Sequence, residues 1–159
     1  MDKLEAIRQI VDEIIRQQPD IEESRCGFVH LYGVSAIGAM LALQRGLDPT
    51  LCAVAGMLHD IWNYKVGDSP DHGRLSAIEA EKIMNNVGSF TTREIAAVYL
   101  AISRHSDKDS INGEMDELLK DADVLQHYLY NPGLKPPQPE DWQENSRLTR
   151  LMKELNVYR

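Results

Sequence analysis

The stretch Leu51-Cys52-Ala53-Val54-Ala55-Gly56-Met57-Leu58-His59-Asp60-Ile61 decides how the chain is read. Its first eight residues are apolar or glycine on every side of a helix, and such a helix is buried. It then runs into a histidine and an aspartate. An ionised aspartate buried without a partner costs roughly several kcal/mol, so Asp60 is expected to be paired or bound to a metal. His59 and Asp60 offer one imidazole nitrogen and one hard carboxylate oxygen. Neighbouring helix positions diverge by about a quarter turn, yet both can reach one ion lying beside the helix.

Outward from this stretch, periodicity reads as helices almost throughout. Asp48-Pro49 supplies a cap and a first-turn proline, which predicts a third helix over about 49–62. Before it, Leu4, Ile7, Val11, Ile14 and Ile15 mark a first amphipathic helix over about 2–18, ending near Pro19. A second covers about 26–45 and stops at Gly46. After it, Asp71 can cap a fourth over about 72–87, and Thr91 with Glu94 is a capping box for a fifth over about 92–105. A sixth covers about 114–130. The prolines of 131–139 predict a loop, and a last helix over about 140–155 packs back on the domain. No segment alternates as a strand would. The expectation is an all-α helical bundle, one domain over 1–159 with its core at about 25–130 and a C-terminal helical extension.

A chain of 159 residues, 43% of them apolar, can bury a sizeable core. Its 25 acidic and 17 basic side chains give a formal charge of -8, which argues against a surface built to track a nucleic-acid polymer. A small phosphorylated partner needs only a local cluster of donors. Cys26 and Cys52 lack zinc-knuckle spacing and read as two reduced thiols packed in a core. The charged N-terminus shows no signal-peptide apolar region, and no apolar run reads as long enough to span a bilayer. The expectation is a soluble cytoplasmic protein; nothing supports or excludes an oligomer.

The other histidines point inward. His30 continues into Val34, Ile37 and Leu41 as one stripe. His105 ends the stripe of Tyr99 and Ile102, and His72 opens the fourth helix. Asp123 sits within Leu118-Leu119-Lys120-Asp121-Ala122-Asp123-Val124-Leu125. Taken singly, a core histidine is more often a hydrogen-bonded packing residue than a ligand, and Asp121 or Asp123 more often a cap or a solvated carboxylate. Five separate helices that each contribute one group or an adjacent pair are harder to dismiss. His127, one turn beyond Asp123, reads as a half-exposed packing residue.

The order His30, His59-Asp60, His72, His105, Asp123 resembles the H…HD…H…H…D pattern of the HD-domain phosphohydrolases. Val29-His30 with Val34 and Ala42, Ala55-Gly56-Met57-Leu58-His59-Asp60-Ile61, and Lys120-Asp121-Ala122-Asp123-Val124-Leu125 look like that family too. The similarity covers about 25–129. It implies that His30, His59, Asp60 and Asp123 hold one metal, while His72 and His105 match the further ligands of two-metal members, in which Asp60 would bridge the ions. Imidazole and carboxylate suit iron, manganese, cobalt or zinc alike.

The resemblance implies metal-activated water attacking a small phosphorylated substrate, a nucleotide or dinucleotide. Basic side chains must hold the phosphates. Lys65, just past Asp60, is the first candidate, with a catalytic role, and Arg25 the second; Arg74, Arg104 and Lys108 rank lower. Some family members carry a glutamate three residues after the HD aspartate, where this chain has Asn63, so catalysis by that glutamate does not apply. Two other readings stay open: a mixed-valent di-iron oxygenase on the same ligands, and a non-catalytic metal- or nucleotide-binding module. Modules of the second kind usually lose ligands, and all six are present here.

Overall fold

Residues 2–132 and 146–157 are described in a computed structural model; among them are eight α-helices and no strand. α1 (Lys3–Arg16) turns Ile7, Val11 and Ile15 into the core. α2 (Ile21–Arg45) starts earlier than the expected 26, because the Asp20 carboxylate accepts from the amides of Glu22 and Glu23. It ends at Gly46, whose φ of 71° suits a residue without Cβ.

By length and composition α2 could cross a bilayer, contrary to the expectation that no run is long enough. Between Cys26 and Gln44 it carries His30, Ser35 and three glycines but no formal charge, so its polar positions interrupt the run without breaking it. Here Leu31, Val34, Leu41 and Ala42 of that helix are buried in the bundle.

α3 (Pro49–Leu58) is the centre of the fold. Asp48 accepts from the amides of Thr50 and Leu51, Pro49 occupies the first turn, and Cys52 through Leu58 are all buried. A Cβ at Gly56 would lie 2.7 Å from the backbone of Ser35, so α2 and α3 cross where only glycine fits.

The helix expected over 49–62 breaks. Asp60 has φ -116° and ψ 18°, and the chain restarts as the short α4 (Ile61–Lys65). α5 (His72–Val87) lies against α4, and its buried Ser76 accepts from the Trp62 amide at 3.2 Å, tying the new direction down. Asp71 does not cap α5; its carboxylate takes the Arg74 guanidinium at 2.6 Å instead.

α6 (Thr92–Arg104) opens with the Thr91–Glu94 capping box. α7 (Glu114–Tyr130) packs against α2, α3 and α6. α8 (Arg147–Glu154) is capped by Ser146 and lays Leu148 and Leu151 into the core beside α7. The helix expected over 140–155 is present as α8 from Arg147 on; its 140–145 part, and the expected loop from 133 on, lie outside the described residues. Of the two thiols expected in the core, Cys52 is buried and Cys26 is exposed.

Candidate metal centre

A neutral imidazole offers a metal one lone pair, and the hydrogen bond on its other nitrogen decides which. The last carbonyls of a helix lack intrahelical amide partners and are open to a side-chain donor. His59 and His105 stand at the ends of α3 and α6 and use this. Nδ1 of His59 faces Gly56 O at 2.9 Å, and Nδ1 of His105 faces Ile102 O at 2.7 Å. His72, at the start of α5, makes the same three-residue reach back to Ser69 O at 3.1 Å. Since carbonyls only accept, each Nδ1 carries the proton and each Nε2 presents a lone pair.

His30 stands mid-helix, where every nearby carbonyl is already bonded. Its Nδ1 finds Gln126 Oε1 on α7 at 2.7 Å. A Cβ at Gly33 would lie 2.8 Å from Gln126 Cγ, so glycine one turn along from His30 makes the room. Sequence reading misses Gln126. The signal that could find it is a mid-helix histidine with no carbonyl to spare, opposite an amide on the face that carries Asp123.

The break after α3 places the Asp60 carboxylate between the rings. Oδ2 lies 3.4 Å from Nε2 of both His30 and His59. Oδ1 lies 3.5 Å from Nε2 of His72 and 3.2 Å from that of His105. Asp123 Oδ1 faces His30 and His59, each at 3.7 Å. All six residues singled out in the sequence thus meet in one cluster. Sets of three drawn from them, among them His30-His59-Asp60 and Asp60-His72-His105, have the spacing to hold an ion.

The negative charge of the cluster is only partly met. Oδ1 of Asp60 and Oδ1 of Asp123 are buried with no hydrogen-bond partner, a costly state for a carboxylate oxygen. The Nε2 atoms of His30 and His59 stand 3.0 Å apart, and two lone pairs at that distance need a cation or a proton between them. Protons respond accordingly. Burial opposes charge on His59, yet Asp60 and Asp123 push its pKa up to about 10. Burial also opposes charge on Asp60, yet His59 and the other rings hold it well below the usual carboxylate range. His105 goes the other way: burial lowers its pKa, and charge on His59 lowers it further. Four directed nitrogen lone pairs and two orphaned carboxylate oxygens fit a divalent cation.

Of the basic residues, Lys108 is the one at the cluster. Its Nζ donates to Asp123 Oδ2 at 2.6 Å and to His105 O at 2.7 Å. Lys65 is not brought there. It ends α4, which turns after the break, and its ammonium pairs with the buried Glu79 on α5. Arg74 pairs with Asp71, and Arg104 with Asp116. Arg25 is exposed and donates to the Tyr130 hydroxyl at 3.1 Å. His127 is no packing residue: it is 61% exposed, and its Nε2 lies 3.3 Å from Asp123 Oδ1.

A cavity of about 270 Å³ opens on the His30 side. Cys26, Val29, Tyr64 and Tyr130 wall it, and His30, Asp60, Gln126 and His127 complete its lining. Arg25, bonded to Tyr130, stands at its rim.

The HD domain family model matches residues 27–129, more than half of the 159-residue chain and the span that holds every member of the cluster. No curated protein matches the chain, and no solved structure does.

Proposed function

The chain belongs to the HD-domain family, and on that premise we propose that it is a metal-dependent phosphohydrolase acting on a nucleotide or dinucleotide through metal-activated water. The observation that carries this reading is the convergence of four oriented Nε2 atoms on two carboxylates that keep unpaired oxygens. Family members are generally metal-dependent hydrolases, and the donor set suits iron, manganese, cobalt or zinc. His30, His59, Asp60 and Asp123 would hold one ion; Asp60, His72 and His105 would hold a second. Ions bound there supply a Lewis acid for a phosphoryl oxygen and make water a nucleophile near neutral pH.

The chain's own residues do the rest. Gln126 keeps His30 turned inward. Lys108 grips Asp123 Oδ2, which leaves Oδ1 aimed at the imidazoles. Tyr64 and Tyr130 give a planar base two rings to lie against. At about 270 Å³ the cavity is below the usual lower bound of about 300 Å³ for a ligand pocket. It would take no more than one nucleoside, so the other half of a dinucleotide would lie across the mouth toward Arg25. Asn63 has no carboxylate with which to act as a base.

Phosphate release from a panel of mononucleotides and dinucleotides tests the reading. Turnover should stop in chelator and return with manganese, cobalt or iron(II). Turnover indifferent to metal overturns it, and oxygen consumption without phosphate release favours the oxygenase chemistry.

A further inference from the structure

All five histidines of the chain lie in one row: His127, His30, His59, His105 and His72. Successive ring centroids are 4.9, 4.9, 5.0 and 5.1 Å apart. Four of these rings belong to the cluster already described. The fifth has no role in it.

We propose that His127 is a displaceable ligand of the ion on the His30 side, holding the coordination position that a substrate oxygen takes in turn. The inference rests on the cluster being a metal site. Asp123 Oδ1 is buried without a hydrogen bond, and three Nε2 atoms face it: His127 at 3.3 Å, and His30 and His59 at 3.7 Å. The ligand atoms of His30, Asp123 and His127 all lie within 4.8 Å of one another, a spacing that small side-chain movements close onto one ion. A surface ion pair four residues apart on a helix would account for His127 and Asp123 alone. It does not account for the oxygen involved being the one the other imidazoles face.

What sets His127 apart is its freedom. The other four rings are each held by an acceptor on Nδ1. Among the described residues no such acceptor holds Nδ1 of His127. Its side chain is 61% exposed, and it lines the cavity on the substrate's way in. A ligand without that outer bond is less firmly oriented and leaves more easily.

Cobalt(II) alone, with no substrate, is the probe. His127→Ala should weaken cobalt uptake at least about tenfold and change the visible d–d bands as one nitrogen donor is lost. Added imidazole should bring the parent spectrum back. An exposed side chain leaves the fold intact, which thermal unfolding of the metal-free variant checks. If the parent takes up cobalt and His127→Ala matches it in affinity and spectrum, His127 is not a ligand, and this inference falls while the metal site stands. If the parent takes up no cobalt, both fall.

Discussion

Two aspartates on α7, two residues apart, meet opposite fates. Asp121 Oδ1 accepts from Arg147 at 2.7 Å and its Oδ2 pairs with Arg45 at 2.8 Å, so both its oxygens are neutralised. Around it, among the described residues, every carboxylate oxygen is paired, and the one buried atom left over is a nitrogen, Arg147 Nε. Arg147 also pairs with Glu117 at 2.8 Å, and the fully buried Lys120 donates to Ser110 O, Asn112 Oδ1 and Glu117 Oε1. Asp123 Oδ2 accepts from Lys108, while Oδ1 stays unbonded, facing imidazoles. A buried charge that finds its partners within the chain holds the fold together. A buried carboxylate left half-paired among imidazoles has the makings of a cation site.

That contrast can be broken by exchanging the fates. The largest effect belongs to Asp60, which faces ring nitrogens on both sides of the centre. Asp60→Ala should lower metal content to background and abolish turnover, with helical circular dichroism unchanged; a variant that retains its metal refutes the role. Next come the two faces of α7. Arg147→Met strips Asp121 and Glu117 of a cation and should cost about 3–5 kcal/mol in urea unfolding; as it also frees the Lys108 carbonyl, cobalt affinity should fall, but far less than on losing Asp123. Asp123→Asn should do the reverse, losing the metal while costing the metal-free chain less than Arg147→Met does, since only Lys108 loses a partner. Equal destabilisation by both would erase the distinction.

Smaller effects sharpen it. Gln126→Leu leaves Nδ1 of His30 without its acceptor and should weaken metal binding about 10- to 100-fold, read by cobalt titration; an unchanged affinity would make Gln126 a packing residue. On the other face, burial would raise the Glu117 carboxyl, but Lys120 and Arg147 lower it to about 2, against about 4.3 for a free glutamate. A lowered pKa contributes stability that is complete above about 4.3 and lost as pH falls through about 2. Glu117→Gln should flatten the urea midpoint over that window, and a slope equal to the parent's would place the acid sensitivity elsewhere.

Much of this was legible in the residues. Glycine- and alanine-rich α3 could only be buried, and His59-Asp60 at its end had to be accounted for. The stripes through His30 and His105 placed their rings inward. What stayed hidden depends on contacts between distant segments. Nothing local stops the third helix at Leu58, since Ile61, Trp62 and Asn63 can continue it; the Ser76 hydroxyl, from another helix, takes the Trp62 amide. Once the helix breaks, Lys65 is redirected to Glu79, and the cation near Asp123 becomes Lys108, from a loop whose course no periodicity foretells. Arg147 donates to the carbonyl of Lys108 at 3.2 Å, so α8 helps hold that loop. His127 looked like surface because it is surface; only the orphaned Asp123 oxygen beside it suggests more.

The central claim is that the unpaired oxygens and directed imidazoles hold metal. Elemental analysis of the chain, purified without added metal and without chelator, tests it most directly. About two transition-metal ions per chain are expected, as the two groups sharing Asp60 require; a chain that carries none would mean that the cluster is not a metal site.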